Sequence, residues 1–184
     1  MGSGLHKALV HQILTHAQDY PWRMQEEIGL LGLRLDDCRT YRLHVWEPHY
    51  CVGEPPVHDH PYHFVSTVVA GEITNSRYEE SPSGAEYSRV RYLASDDRVR
   101  RTDTVRLSAT SVTLREGDQY AQLAHELHES RQQAGTVTII RCSFQDVAEL
   151  TVCLRDGERF VSGRARPATL DEVKHITTRA LTWF

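Results

Sequence analysis

The stretch spanning residues 53–71, GEPPVHDHPYHFVSTVVAG, places two histidines one residue apart at the start of a β-branched, apolar run. In an extended chain residues two apart project to the same side, so His58 and His60, flanking Asp59, direct both imidazoles toward one point. Neutral imidazole is the commonest metal ligand, and a pair on one strand needs one or two more donors to close a site. Residues 117–128, GDQYAQLAHELH, offer the next: a Gly-Asp turn and then a strand-like run ending in His128. If His58 and His60 face an interior, an unbroken strand also turns Phe64, Ser66 and Val68 inward. His63 then points away as a structural or supporting histidine, unless a bulge brings it in as a fourth ligand. His125 has the opposite parity to His128 and is expected at a mouth or surface. Tyr120 shares the parity of His128, which makes it either a phenol on the cavity wall or an ordinary strand tyrosine.

Around this stretch the chain reads as a succession of short strands between two terminal helices. Leu5, Leu9, Ile13, Leu14 and Ala17 recur at helical spacing over residues 5–18, with His6, His11 and His16 facing solvent. Residues 40–47 alternate Tyr41, Leu43 and Val45 against Arg42, His44 and Trp46, with neither face marked as the inner one. The apolar run of residues 64–75 is broken at Gly71 by a bulge or turn. Ser81-Pro-Ser-Gly84 reads as a hairpin turn between Tyr78 and Tyr87. Further strands are expected at 87–93, 103–107, 111–114 and 136–144, and 150–154 is expected to pair with 158–162 across Asp156-Gly157. Thr169 and Glu172 form a capping-box pattern before Leu170, Val173, Ile176, Ala180 and Leu181 in a C-terminal helix over 169–183.

Length and charge narrow the classes. A chain of 184 residues with 40% hydrophobic and 25% charged residues suits one domain with a substantial core. The net charge of −4 is spread over interleaved signs, so neither a nucleic-acid stripe nor a polybasic membrane patch is indicated. No apolar run approaches the ~20 residues needed to span a bilayer, and the N-terminus lacks a signal-peptide pattern, so a cytoplasmic protein is expected. Cys38, Cys51, Cys142 and Cys153 form no CxxC pair and read as reduced thiols.

The two histidine stretches resemble the paired motifs of the cupin superfamily: a glycine, HxH, a glutamate and a closing glycine, then a single histidine after a Gly-Asp turn. The resemblance spans about residues 40–145 and implies His58, His60 and His128 as metal ligands with Gly71 as the closing glycine. Three positions depart from it. Phe64 occupies the glutamate position, and Leu123 and His125 stand where a proline and a glycine are usual. The chain is therefore similar to the three-histidine cupins, which include the thiol dioxygenases, and Trp46-Glu-Pro followed by Val57-His-Asp-His60 is similar to their local string. The implied fold is all-β, a double-stranded β-helix or jelly roll over about residues 30–163, with short N- and C-terminal α-helices in a single domain.

Three neutral imidazoles leave a dication its full charge, so an anionic thiolate, carboxylate or enolate is the substrate group such a centre favours. The resemblance implies an Fe(II) dioxygenase that takes a small-molecule substrate and O2, with Ni, Zn, Mn and Cu as other metals the ligands suit. The substrate arginine is sought among strand arginines, with Arg42 and Arg141 nearest the motifs, and Tyr120 is the candidate active-site phenol. The family's cysteine that crosslinks to tyrosine falls near Val65 and is absent. A non-redox isomerase, lyase or hydrolase and a ligand-binding cupin without chemistry are the alternatives. Jelly-roll edges often pair, so a homodimer is expected, with no nucleic-acid or membrane partner.

Overall fold

The computed structural model describes residues 3–51, 55–93, 98–144, 149–160 and 165–184. Two helices, α1 (Ser3–Thr15) and α2 (Leu170–Leu181), flank a β-rich body. Its strands in chain order are β1 (Arg23–Gln25), β2 (Leu30–Arg34), β3 (Tyr41–Trp46), β4 (Val57–His58), β5 (Tyr62–Ala70) and β6 (Glu72–Leu93). There follow β7 (Val99–Arg115), β8 (Gln119–Gln122), β9 (Leu127–Gln132), β10 (Thr136–Phe144), β11 (Glu149–Leu154) and β12 (Arg166–Pro167). All pairings are antiparallel, in a seven-stranded sheet ordered β12-β1-β2-β3-β10-β5-β8 and a five-stranded sheet ordered β11-β4-β9-β6-β7.

The seven-stranded sheet carries apolar residues on both faces because it is covered twice. On its outer face Leu43 and Val45 of β3, Met24 of β1 and Val137 of β10 pack under α1 and α2. The other parity of the same strands looks into a cavity: Arg42, His44 and Trp46 line it, and the Trp46 indole donates to Thr138 Oγ1 at 3.2 Å. This settles which face of residues 40–47 is which. The helices are held as amphipathic lids, and α2 begins at a complete capping box. Thr169 Oγ1 accepts from the Glu172 amide at 3.3 Å while the Glu172 carboxylate accepts from the Thr169 amide at 2.7 Å. The buried face of α1 is Val10, Ile13 and Leu14, continued by Ala17 in the 3-10 turn that follows, so Val10 takes the place expected of Leu9. Leu9 is exposed, and the side chain of Leu5 lies outside the described residues.

The five-stranded sheet differs from expectation in three places. Ser81–Gly84 is not a hairpin turn: residues on both sides of it, Glu80 and Ala85, face Leu107 of the same neighbour, so the segment bulges from one continuous strand. The expected strands at 103–107 and 111–114 are likewise one strand, β7. Residues 158–160 form no strand, and 161–162 lie outside the described residues; β11 pairs instead with Ser88–Leu93 and with β4. Because the first half of β6 pairs with β9 and its second half with β11, the circuit β6–β9–β4–β11–β6 closes on itself. Val57, Tyr87, Val105, Leu107 and Cys153 fill a core of their own there. The bend is sterically tight: a Cβ on Gly84 would stand 2.3 Å from the Leu107 carbonyl. Gly71, at φ +82 between β5 and β6, is equally constrained, with a Cβ meeting Thr136 Oγ1 at 2.5 Å.

Candidate metal centre

Three imidazoles meet where β4 and β9 run side by side. His58 and His128 are direct register partners across that pair and therefore project to the same side. His60 follows two residues on, just beyond the strand, where its carbonyl accepts the His125 amide at 3.2 Å. The three ring centroids are 4.8, 4.8 and 5.0 Å apart, and one nitrogen from each ring lies within 4.8 Å of the others. The closest pair is Nε2 of His60 and Nε2 of His128, at 2.9 Å. At metal–imidazole distances of about 2.1 Å, that pair subtends close to a right angle at one ion, and with His58 alongside the cluster could hold a metal.

The far nitrogens fix which lone pairs point inward. His58 Nδ1 donates to the Pro56 carbonyl at 2.9 Å, and His128 Nδ1 to Asn75 Oδ1 at 2.9 Å. Both acceptors are carbonyl oxygens, so these contacts assign the protons to Nδ1 and leave each Nε2 bare. Ser130 Oγ donates to the same Asn75 oxygen at 3.0 Å and orients the amide. Burial depresses all three imidazole pKa values. His60 and His128 fall well below the ordinary value, with neighbouring histidines adding to the effect; for His58 the Pro56 carbonyl, Asp59 and Glu129 oppose it. The rings are thus neutral ligands at neutral pH. No local pattern in the sequence singles out Asn75; only its pairing in β6 against Ser130 of β9 brings it to His128.

Among the described residues no carboxylate completes the set. Phe64, at the position where a glutamate would be a ligand, packs against His60 and His128 with centroids 5.3 and 5.8 Å away. The Asp59 carboxylate turns from the centre: Oδ1 accepts the Thr151 amide at 2.8 Å and Oδ2 faces His125 Nδ1 at 3.4 Å. Glu129 is likewise taken up elsewhere, by Arg155, Arg131 and the Tyr78 hydroxyl. His63 also points away, its Nδ1 accepting the Ala124 amide at 2.9 Å, and His125 is exposed.

Of the other residues singled out by sequence, two reach the cavity and one does not. Tyr120 packs edge-on to Phe64 at 5.9 Å, and burial raises its phenol pKa against the pull of the Ser130 and Ser66 hydroxyls. Arg42 donates to the Tyr62 hydroxyl at 3.2 Å with its guanidinium 5.0 Å above that ring, and Tyr62 in turn stacks on His60 at 5.0 Å. Arg141 is exposed and has the opposite parity on β10 to Ile140 and Cys142, which pack with Phe64, so it lies away from the histidines. The cavity continues from the histidines along the inner face of β3 and β2 and around the β1 edge, about 950 Å³ in all.

Fold and site together define a β-rich protein of two antiparallel sheets whose three clustered histidines can hold a metal ion. The sequence matches no protein-family model, and no curated protein matches it. No helix among the described residues is long and apolar enough to cross a membrane.

Proposed function

We propose that the two sheets form a cupin jelly roll and that the protein is a mononuclear non-haem iron dioxygenase. In this reading it oxidises a small anionic metabolite, such as a cysteine-like thiol, at a centre held by His58, His60 and His128. The observation that carries the reading is the convergence of three histidine donors, with no carboxylate among them, on a wall of aromatic rings. With only neutral ligands a dication keeps its full charge, and an anionic substrate group is the donor it draws in. Fe(II) held there supplies the redox chemistry by which O2 oxidises the substrate.

The remaining work falls to this chain's own residues. Arg42 presents a planar, always charged donor to a substrate oxyanion and fixes its orientation. Tyr120, kept protonated by burial, offers an O–H donor to the reacting end of the substrate. Phe64, Tyr62 and Ile140 exclude bulk water from that end and strengthen both interactions.

The test is metal analysis of untagged protein purified without chelator, followed by O2-uptake measurements on the Fe(II)-loaded protein over small thiols and amino acids. Stoichiometric metal and O2 uptake abolished by His128→Ala are expected. Turnover that persists without O2 and with Zn or Ni moves the assignment to a non-redox isomerase, lyase or hydrolase. Failure to take up any transition metal leaves a ligand-binding protein.

A further inference from the structure

Gly32 lies inside β2 although nothing in the backbone requires a glycine there. It pairs in regular register with Arg23 on one side and His44 on the other, and its φ is outside the left-handed region. An added Cβ would make only ordinary contacts, 3.9 Å from the Arg23 carbonyl oxygen and 3.9 Å from His44 Cδ2. Glycine inside a strand weakens it, and where neither a bulge nor a crowded backbone calls for one it marks the close approach of a ligand. Position 32 is on the same side as His44, so the missing side chain opens a recess in the cavity wall, bordered by His44, Trp46 and Leu30. His44 is only 9% exposed, and neither of its ring nitrogens has a hydrogen-bond partner among the described residues. Nδ1 is sealed from solvent, whereas Nε2, next to the Cδ2 that faces position 32, keeps access to the cavity. In a neutral ring one nitrogen carries the proton and the other a lone pair. A buried N–H without an acceptor is rarer than an under-satisfied acceptor, so the lone pair takes Nδ1 and an N–H points from Nε2 into the recess. Trp46, edge-on to His44 at 5.8 Å and tied by its indole to Thr138, is a fixed apolar wall beside it.

We propose that Gly32, His44 and Trp46 form a recess that receives an aromatic or heteroaromatic ring of the substrate, one that bears a hydrogen-bond acceptor. A flat ring can lie on the bare strand at Gly32, with its acceptor toward His44 Nε2–H and its apolar surface against Trp46 and Leu30. The acceptor is a carbonyl oxygen or a ring nitrogen, since a neutral donor holds either without a charge on the ligand. A ligand without one leaves the N–H desolvated and unpaired, which costs affinity. One cavity joins this recess to the three histidines, so the ring and the metal-binding group belong to a single molecule. The inference rests on the proposed function only for the group that sits at the metal; the recess itself is built by the sheet. It narrows the substrate to an aryl-bearing anion, because a short aliphatic thiol leaves the recess unfilled.

The test has two arms, both run without O2. In the first, chelator-treated protein is titrated by ligand-observed NMR with acetophenone and with α-methylstyrene, which has a CH2 in place of the carbonyl oxygen. Gly32→Val is expected to weaken acetophenone binding about tenfold while leaving the melting temperature unchanged or higher, since the added side chain fills the recess and suits a strand. His44→Leu is expected to lower the ratio of acetophenone to α-methylstyrene affinity about tenfold. In the second, Zn-loaded protein is titrated calorimetrically with phenylacetate, 3-phenylpropanoate and 4-phenylbutyrate and with acetate, propanoate and butanoate. The tightest phenyl acid is expected to bind about tenfold more tightly than its unsubstituted counterpart, and Gly32→Val to remove that gain with Zn affinity unchanged. Protein that takes up no Zn yet shows the first set of effects refutes the metal reading and supports the recess. A folded Gly32→Val that binds acetophenone as the parent does, or that keeps the phenyl gain, overturns the recess, and an unchanged affinity ratio in His44→Leu overturns the role given to His44.

Discussion

The side-chain oxygen of Asn75 receives the Nδ1 proton of His128 at 2.9 Å, so an amide on β6 decides which nitrogen of a β9 imidazole faces the centre. Losing that acceptor frees the ring to rotate and to change tautomer. Asn75→Ala is expected to weaken Zn or Fe(II) binding by roughly 10- to 100-fold in chelator-competition titrations, and Asn75→Asp to restore most of the loss. Circular dichroism on each variant separates this effect from unfolding.

Metal binding is expected to stabilise the folded state, because the three donors converge only there. At a free Zn concentration about a hundredfold above Kd the gain is about 2.7 kcal/mol. For a chain of this size it raises Tm by roughly 5 to 10 °C. His58→Ala and His128→Ala are each expected to abolish the shift, read by differential scanning fluorimetry with and without metal.

Gly84→Ala is expected to cost about 2 to 3 kcal/mol in chemical denaturation, since the added methyl would meet the Leu107 backbone at 2.3 Å and one of the two strands must shift to admit it. Ser83→Ala, one residue earlier and exposed, is the control and is expected to stay within about 0.5 kcal/mol of the parent.

His44 gives stability a pH dependence of known sign. It is buried with no hydrogen-bond partner for Nδ1, and burial, aided by Arg42, holds its pKa down to about 3 from an ordinary 6.5. Between these values the unfolded chain binds a proton that the folded chain does not, so this residue's contribution is intact above pH 6.5 and is lost progressively as the pH falls toward 3. At pH 5 the loss is about 2 kcal/mol. Urea titrations at pH 7 and pH 5 are expected to show a smaller difference for His44→Gln than for the parent.

Much of the centre was legible in the residues because it depends on local geometry. The two-residue spacing of His58 and His60 and the inward parity of Phe64, Ser66 and Val68 follow from strand alternation alone. The Thr169–Glu172 cap follows from helix chemistry. What escaped was decided by pairing between distant segments. Ser81-Pro-Ser-Gly84 has turn chemistry at every position, yet two long strands pairing around it make it a bulge. In α1, Leu9 and Val10 both belong to stripes with helical spacing, and only the underlying sheet selects Val10. Arg141 lies on a strand near the histidine motifs, but the run TVTIIRCSF is apolar on both faces, as a doubly covered strand must be, so nothing in it marks which parity looks inward.

The closed circuit of β6, β9, β4 and β11 ties the centre to the C-terminal third of the chain. His58 sits on a strand of two residues, too short to hold itself, and its second neighbour is Val152. A polypeptide halted on the ribosome before residue 149 would already carry all three imidazoles yet lack the strand that clasps the first of them. The histidine cluster is therefore complete only once the strand that follows residue 148 has docked.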